Sequence, residues 1–319
     1  MNRVKIKSYA KVNLTLRLVG QAQGYHLLDS LVASVDLFDL LTLTKRKDMQ
    51  NRVQMRGMGS ETISPENNNA FKAAEAFCKR FSTCGADIVI DKNIPIGAGL
   101  GGSSADIVGV LNGMAKLYGV NDEAALKTLA DELGSDTGYM LSGGFARMQG
   151  RGERVERIDC KETLWLLLIC PEASVSAGAC YKTYDQMQAE GEIPLSAEEN
   201  ETEHCINALV KKDKNGVGRY LMNDLFFPAA RLCGEVKRAY DEALAFSPLG
   251  VTMTGSGSCV LALFESKELC DWAKSRYKGA FQAYVTKTVI PDYDKQGKTA
   301  FSFRNPFVLS EEERAQIEE

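Results

Sequence analysis

Pro95-Ile96-Gly97-Ala98-Gly99-Leu100-Gly101-Gly102-Ser103-Ser104 carries the strongest chemical signal in the chain. Four of the six residues from 97 to 102 are glycine. Glycines let backbone amides approach an anion closely, and a helix starting beyond them adds unpaired donors and a positive dipole. Ser103 and Ser104 stand where a hydroxyl can satisfy the first turn or coordinate a phosphate-bound metal. As a merely flexible turn the segment would be costly, because each glycine loses much conformational entropy on folding. Phosphate binding is therefore the favoured reading. Lys11 and Asn13 lie two residues apart on an alternating segment and so share a face. Asp136 follows Leu133-Gly134-Ser135. Taken singly, Lys11 reads first as an ordinary solvated lysine, and Asp136 reads equally as a helix N-cap.

The elements that must position these groups follow from periodicity. Residues 3–19 contain a strand in which Val12, Leu14, Leu16 and Leu18 alternate with Lys11, Asn13, Thr15 and Arg17. Helical spacing marks 68–81, 107–118 and 122–133, the last stopped by Gly134, and a short strand at 87–90 leads into the glycine loop. After the Gly143-Gly144 break comes a stretch, 145–155, rich in glycine and arginine. The pattern restarts with an apolar strand at 164–170, which opens a second domain. Helices near 181–190, 201–212 and 229–245 follow, then strand, glycine turn and strand over 250–264, a helix near 266–277 and a strand near 282–290. Charged stretches at 211–214 and 311–314 read as solvated faces. The expected division is 1–157, 158–290 and a peripheral polar tail, 291–319.

Composition narrows the function. At 319 residues there is room for two domains, and a net charge of −4 argues against a nucleic-acid partner. The N-terminus has no signal-peptide core, and the longest apolar run is too short to span a bilayer. Nine cysteines without a Cys-x-x-Cys pair suit reduced thiols in a cytoplasmic protein, and two histidines leave little material for a zinc site. The loop also matches Gly-x-Gly-x-x-Gly, but a helix follows where a dinucleotide fold needs a strand with an acidic residue. A Walker A loop would need lysine where Ser103 stands, and the His-Arg-Asp and Asp-Phe-Gly motifs of protein kinases are missing.

What remains, Pro-x-Gly-x-Gly-Leu-Gly-x-Ser-Ser, resembles the phosphate loop of the GHMP kinases. Other segments resemble, within that superfamily, the 4-diphosphocytidyl-2-C-methyl-D-erythritol kinases. These are Ala10-Lys11-Val12-Asn13-Leu14, Gly24-Tyr25-His26, Asn68-Asn69-Ala70-Phe71-Lys72-Ala73-Ala74, Leu133-Gly134-Ser135-Asp136, Asn223-Asp224-Leu225 with Pro228, and Gly255-Ser256-Gly257-Ser258. Departures are Gln23 where that family usually has Asp, Leu27 where Glu is common, Ser103 for a common glycine, and Thr137-Gly138 for a hydrophobic residue and proline.

The resemblance implies a two-domain α+β GHMP kinase fold, with an N-terminal ATP-binding domain, a C-terminal ferredoxin-like α/β sandwich and the site between them. It implies ATP and Mg2+ as cofactors and a small cytidine-diphosphate substrate, in a monomer or homodimer. Lys11 would lie beside the acceptor hydroxyl, with Asp136 as its base or orienting group. Asn68, Lys92, Pro95, Gly97, Gly99, Leu100, Gly101, Gly102, Ser103 and Ser104 would form the ATP site, with Ser104 the magnesium contact. Asn13, Tyr25, His26, Tyr181, Gly255 and Ser256 would bind the acceptor, the aromatics holding its cytosine. Tyr25 and His26 are expected in a turn. The implied reaction is phosphorylation of the 2-hydroxyl of the cytidyl-methylerythritol. Rival readings are another GHMP kinase (mevalonate, phosphomevalonate, homoserine or a sugar), a silent nucleotide-binding regulatory homologue and, distantly, a Rossmann dehydrogenase.

Overall fold

A computed structural model describes residues 1–57, 68–193 and 200–293. The alternating N-terminal segment folds as β1 (Arg3–Asn13) and β2 (Thr15–Ala22), interrupted at Leu14. Gln23 and Gly24, at φ 53° and 78°, turn the chain into β3 (Tyr25–Lys45), and Ala22 pairs with Tyr25 across them. Positive φ at both central positions matches the right-handed strand twist and is why glycine follows here. Asn and Asp tolerate this conformation better than glutamine, which gives the departure at Gln23 a backbone cost. Tyr25 and His26 thus open a strand rather than sit in the turn.

β3 organises the first half of the molecule. One edge pairs antiparallel with β1 and β2. The other edge pairs with β5 (Ala86–Asp91), which runs parallel to β4 (Arg52–Arg56), and with β6 (Phe145–Gly150) of the hairpin closed by β7 (Arg154–Ile158). Helices α1 (Asn69–Phe81), α2 (Gly102–Tyr118), α3 (Glu123–Leu133) and the short α4 (Thr137–Met140) complete this half. Phe77 of α1 and Ile107, Val110, Leu111 and Met114 of α2 pack on Val4, Ile6, Leu41, Leu43, Ile88 and Ile90. α2, the helix leaving the glycine loop, is buried along most of its length, which fixes the loop against the sheet.

The second half contains β8 (Trp165–Cys170), α5 (Ala177–Ala189), α6 (Glu201–Val210), α7 (Lys214–Arg219), β9 (Met222–Asn223), α8 (Phe226–Leu232), α9 (Gly234–Leu244), β10 (Gly250–Met253), β11 (Val260–Phe264), α10 (Lys267–Arg276) and β12 (Gln282–Lys287). An antiparallel sheet in the order β10-β11-β8-β12 carries α9 and α10 on one face, where Ala239, Ala243, Cys270 and Ala273 meet Leu167, Ile169, Val260 and Ala262. Its other face, with Leu166, Leu168, Leu261 and Leu263, shares a core with Val12, Leu14, Leu31 and Ala33 of the first half. The two halves thus form the mixed α+β arrangement that the resemblance implies. β9 pairs in parallel with β2, so the second half also extends the first sheet.

Several local expectations change. The helix expected over 229–245 is two helices, broken at Cys233, whose extended backbone ends α8 and starts α9. The 145–155 stretch is a hairpin, while the charged stretch 211–214 is exposed at Lys211, Lys212 and Asp213 as expected, and α7 starts at its last residue. The last strand ends at Lys287. From there the chain returns to the first half: Thr288 bridges Val35, Val289 N donates to Ser34 O over 2.9 Å, and Tyr293 meets the Tyr9 ring edge-on at 6.3 Å. Pro291 lies against Gly143. Residues 294–319, the rest of the expected tail, lie outside the described residues. Among the described residues no helix is long and apolar enough to cross a membrane.

Candidate active site

The face of β1 that reads as polar is covered, not solvated. Lys11 and Asn13 are 6% and 5% exposed, Lys11 covered by Gly101 of the glycine loop and Asn13 by Thr254 and Gly255 of the second half. Lys11 Nζ donates to Asn13 Oδ1 at 2.8 Å and stands 3.3 Å from Asp136 Oδ2. Asp136 occupies the N-cap position of α4, yet its side chain makes no capping bond. The Thr137 hydroxyl turns back to the Ala130 and Gly134 carbonyls instead. The carboxylate is left facing a cleft of about 510 Å³ lined by Lys11, Asn13, Gly99, Gly101, Tyr25, His26, Arg151, Tyr181, Gly255 and Ser256, among others. An ammonium, an amide and a carboxylate thus converge beside the glycine loop.

The loop is held from both sides. Leu100 is buried in the core and its carbonyl accepts from Lys11 N at 3.0 Å. Gly101, at φ 73°, is the N-cap of α2 and has no side chain to cap the first turn, which leaves that turn to an external anion. Ser103 Oγ accepts from Asn69 Nδ2 at 2.6 Å, and Ser104 is half-buried beside Gly134.

Phosphate approach is only part of the reason for glycine here. A Cβ on Gly99 would lie 2.3 Å from the Thr254 carbonyl oxygen, and a Cβ on Gly255 would lie 2.9 Å from the Gly99 oxygen. Cys259 N donates to Ala98 O at 3.1 Å. The glycine loop and the 254–258 turn therefore interlock, backbone against backbone. Gly99 is also at φ 78°, so Gly99→Ala is expected to destabilise the protein by about 1–3 kcal/mol through overpacking. It should also lower kcat/KM for both substrates, as both loops must shift. Denaturant unfolding beside steady-state kinetics checks this, and a variant of unaltered stability would show that the turn yields freely.

Two residues expected at the nucleotide have partners within the fold. Asn68 caps α1, accepting from Ala70 N at 2.9 Å, and is 5% exposed. Lys92 is buried between two carboxylates, donating to Asp39 Oδ2 at 2.5 Å and Asp106 Oδ2 at 2.8 Å. Both are buried, and like Ser103 and Ser104 they lie outside the lining of the cleft. Asp39 also accepts from Asn93 N and Ile94 N, so this ion cluster anchors the chain just before Pro95.

On the aromatic wall of the cleft, Tyr25 is 53% exposed and the Arg151 guanidinium sits 3.9 Å from its ring centroid. Tyr181 stacks on His26 at 4.9 Å with planes 21° apart. Gly255 N donates to Asn13 Oδ1 at 3.1 Å, while Asn223 Nδ2 donates to the Met253 and Gly255 carbonyls at 2.7 and 2.9 Å. Arg151 was not singled out by sequence reasoning; its only signal was the glycine- and arginine-rich character of its hairpin. Among the described residues no group of three His, Cys, Asp or Glu side chains could hold a metal by itself.

Comparisons with known proteins agree with this geometry. Models of the GHMP kinases N terminal domain and the GHMP kinases C terminal domain match residues 68–146 and 205–280. The 4-diphosphocytidyl-2-C-methyl-D-erythritol kinase of Clostridium beijerinckii is 31% identical, over 90% of this chain and 100% of that protein. Its counterpart in Clostridium kluyveri is 32% identical over 89% and 99%. A crystal structure of a 4-(cytidine 5'-diphospho)-2C-methyl-D-erythritol kinase superposes with a TM-score of 0.72 at 26% identity, covering 89% of this chain and 99% of that one. With relatives of this identity matched over nearly their whole length, the chain belongs to the GHMP kinases and, among them, to the 4-diphosphocytidyl-2-C-methyl-D-erythritol kinase family.

Proposed function

We propose that this protein transfers the γ-phosphoryl group of ATP to the 2-hydroxyl of 4-diphosphocytidyl-2-C-methyl-D-erythritol, a step of non-mevalonate isoprenoid precursor synthesis. The observation that carries the reading is the Lys11–Asp136 pair, 3.3 Å apart, in a cleft with the glycine loop on one wall and Tyr25, His26 and Tyr181 on another. The family named above supplies the acceptor.

Phosphoryl transfer passes through a loose transition state, so positioning and charge neutralisation carry most of the catalysis. The uncapped first turn of α2 and the loop amides would bind the ATP phosphates. Mg2+ on those phosphates would supply further neutralisation, with the half-buried Ser104 hydroxyl in the first turn of α2 as the group that would meet it. Lys11 would hold the acceptor oxygen and the transferring group, and Asp136 Oδ2 would orient the hydroxyl and take its proton. Asn13 fixes the Lys11 ammonium and the Gly255 amide together, which sets the reacting wall. Residues 1–157 would form the ATP-binding domain and 158–290 the partner that closes the cleft.

Mixing the protein with ATP, magnesium and each candidate acceptor while following ADP release tests the proposal. Turnover with the cytidyl-methylerythritol alone is expected. Turnover with mevalonate, homoserine or a sugar instead would keep the kinase and replace the substrate. Tyr25→Ala is expected to raise KM for the cytidine-bearing acceptor by roughly 5- to 150-fold, the worth of one base–aromatic stack at about 1–3 kcal/mol. An equal loss with a base-free acceptor would make Tyr25 a packing residue.

A further inference from the structure

His26 Nε2 lies 2.7 Å from Asp185 Oδ1, and Gln21 Nε2 lies 2.9 Å from each of them. Asp185 projects from α5, 159 residues along the chain from His26. An ionised carboxylate only accepts hydrogen bonds, so the 2.7 Å contact places the proton on Nε2, and the Gln21 amide nitrogen, itself a donor, gives its hydrogen to Asp185 Oδ1 and not to the ring. In the neutral ring Nδ1 is then a bare acceptor. It has no hydrogen-bond partner among the described residues. Stacking on Tyr181 at 4.9 Å and an edge contact from Tyr184 at 5.9 Å keep the ring from rotating. The ring lines the cleft.

From this arrangement we infer that Asp185 is a specificity-determining positioning residue: by fixing the His26 tautomer, it makes the pocket prefer a base that offers an N–H donor. Resting on the proposed function, the inference adds how the base is chosen. Cytosine presents an exocyclic amino donor where uracil presents a carbonyl acceptor. A bare Nδ1 accepts from the first and meets the lone pairs of the second. Gln21 sharpens the dependence on Asp185. With the carboxylate removed, the Gln21 amide can itself donate to Nε2. The ring proton is then free to move to Nδ1, where it would face uracil favourably.

The chain has only two histidines, which makes the tautomer directly observable. In protein labelled with 15N-histidine, the His204→Gln variant assigns the two rings. The free wild-type enzyme is expected to show a protonated Nε2 and an unprotonated Nδ1 for His26. In Asp185→Ala the Nε2–H form should lose population. The kcat/KM preference for a cytidine-bearing over a uridine-bearing acceptor should fall roughly ten- to hundredfold, mostly through KM, as for one unmet buried hydrogen bond. A wild-type His26 protonated on Nδ1 overturns the inference. So does a base preference that stays put while the tautomer moves, or a tautomer that stays put without Asp185. Absence of any turnover with a cytidine-bearing acceptor would instead remove the functional reading and its base pocket, a result separable from the others because the tautomer is read without substrate.

Discussion

Asp136→Asn is expected to lower kcat by roughly 10²–10⁴-fold, the range for removing a general base. The substitution is close to isosteric, and the wild-type side chain makes no helix-capping bond that its loss would remove. Its recorded polar partner is Lys11 Nζ at 3.3 Å, and the carboxylate is 31% exposed to the cleft. A structural role would therefore appear as a loss of stability, whereas a chemical role appears in kcat with ATP binding preserved. Single-turnover kinetics and a thermal melt on the same preparation separate the two. A variant with wild-type kcat would remove Asp136 from the chemistry and leave Lys11 to act on the phosphoryl group alone.

The second large effect is expected at Lys92, and on stability rather than rate. Its ammonium is 3% exposed between Asp39 and Asp106, whose side chains are 0% and 6% exposed. Removing one partner from a buried ion pair typically costs about 3–5 kcal/mol, because the remaining charge has no compensation. Lys92→Ala should lose stability on that scale in denaturant titrations, because it leaves the Asp39 charge uncompensated, and neutralising Asp39 as well should recover part of it. Preserved stability with a raised KM for ATP would instead make Lys92 a nucleotide contact.

The same cluster gives a pH dependence. Burial pushes the Asp106 carboxyl up to about 8, against the pull of Lys92 and with the help of the Asp39 charge, and its Oδ1 has no hydrogen-bond partner. Burial alone would lower the Lys92 ammonium, but Asp39 and Asp106 outweigh it and raise it to about 12. Folded Asp106 thus holds a proton that the unfolded chain, with a carboxyl near 4, releases. Its stabilising contribution is full below about pH 4 and is lost as the pH rises toward 8. Tm is expected to decline over that window in the wild type and to decline less in Asp106→Asn. Parallel curves would show that Asp106 is ionised throughout.

The parts of the fold legible in the sequence were those with a clear period or an unbroken apolar run. α1 and α3 turn a stripe toward the core, α2 keeps helical spacing although it is buried on most sides, β8 reads as one apolar run, and Gly134 ends α3 where expected. β3 was not legible. It is hydrogen-bonded along both edges, and its register shifts opposite Tyr9 and Ala10, so its apolar residues change phase partway along. The β6–β7 hairpin was hidden by its glycines and arginines, since Arg147 reads as solvent-facing until Asp29 and Glu203 are seen to bind it. At the site, Lys11 and Asn13 could be paired from spacing alone. Their neighbour Asp136 could not, because its nearness to Lys11 depends on how α4 packs. Lys92 and Asp185 carry no local signal at all. Their roles come from partners 53 and 159 residues away, and composition cannot report such distances.

The interlocking of the glycine loop with the 254–258 turn bears on how this enzyme comes to exist. The Thr254 hydroxyl reaches Gly99 O across 155 residues of chain, so the shape of the nucleotide loop is completed by backbone synthesised long after it. An isolated N-terminal half would keep the glycines and lose the wall that makes them necessary. Such long-range closures form slowly, since the chain must meet the entropic cost of bringing distant segments together before their contacts repay it. On the proposed reading, nucleotide affinity is expected to report complete folding rather than one module. Grafting the loop into another scaffold would transfer its sequence without its conformation.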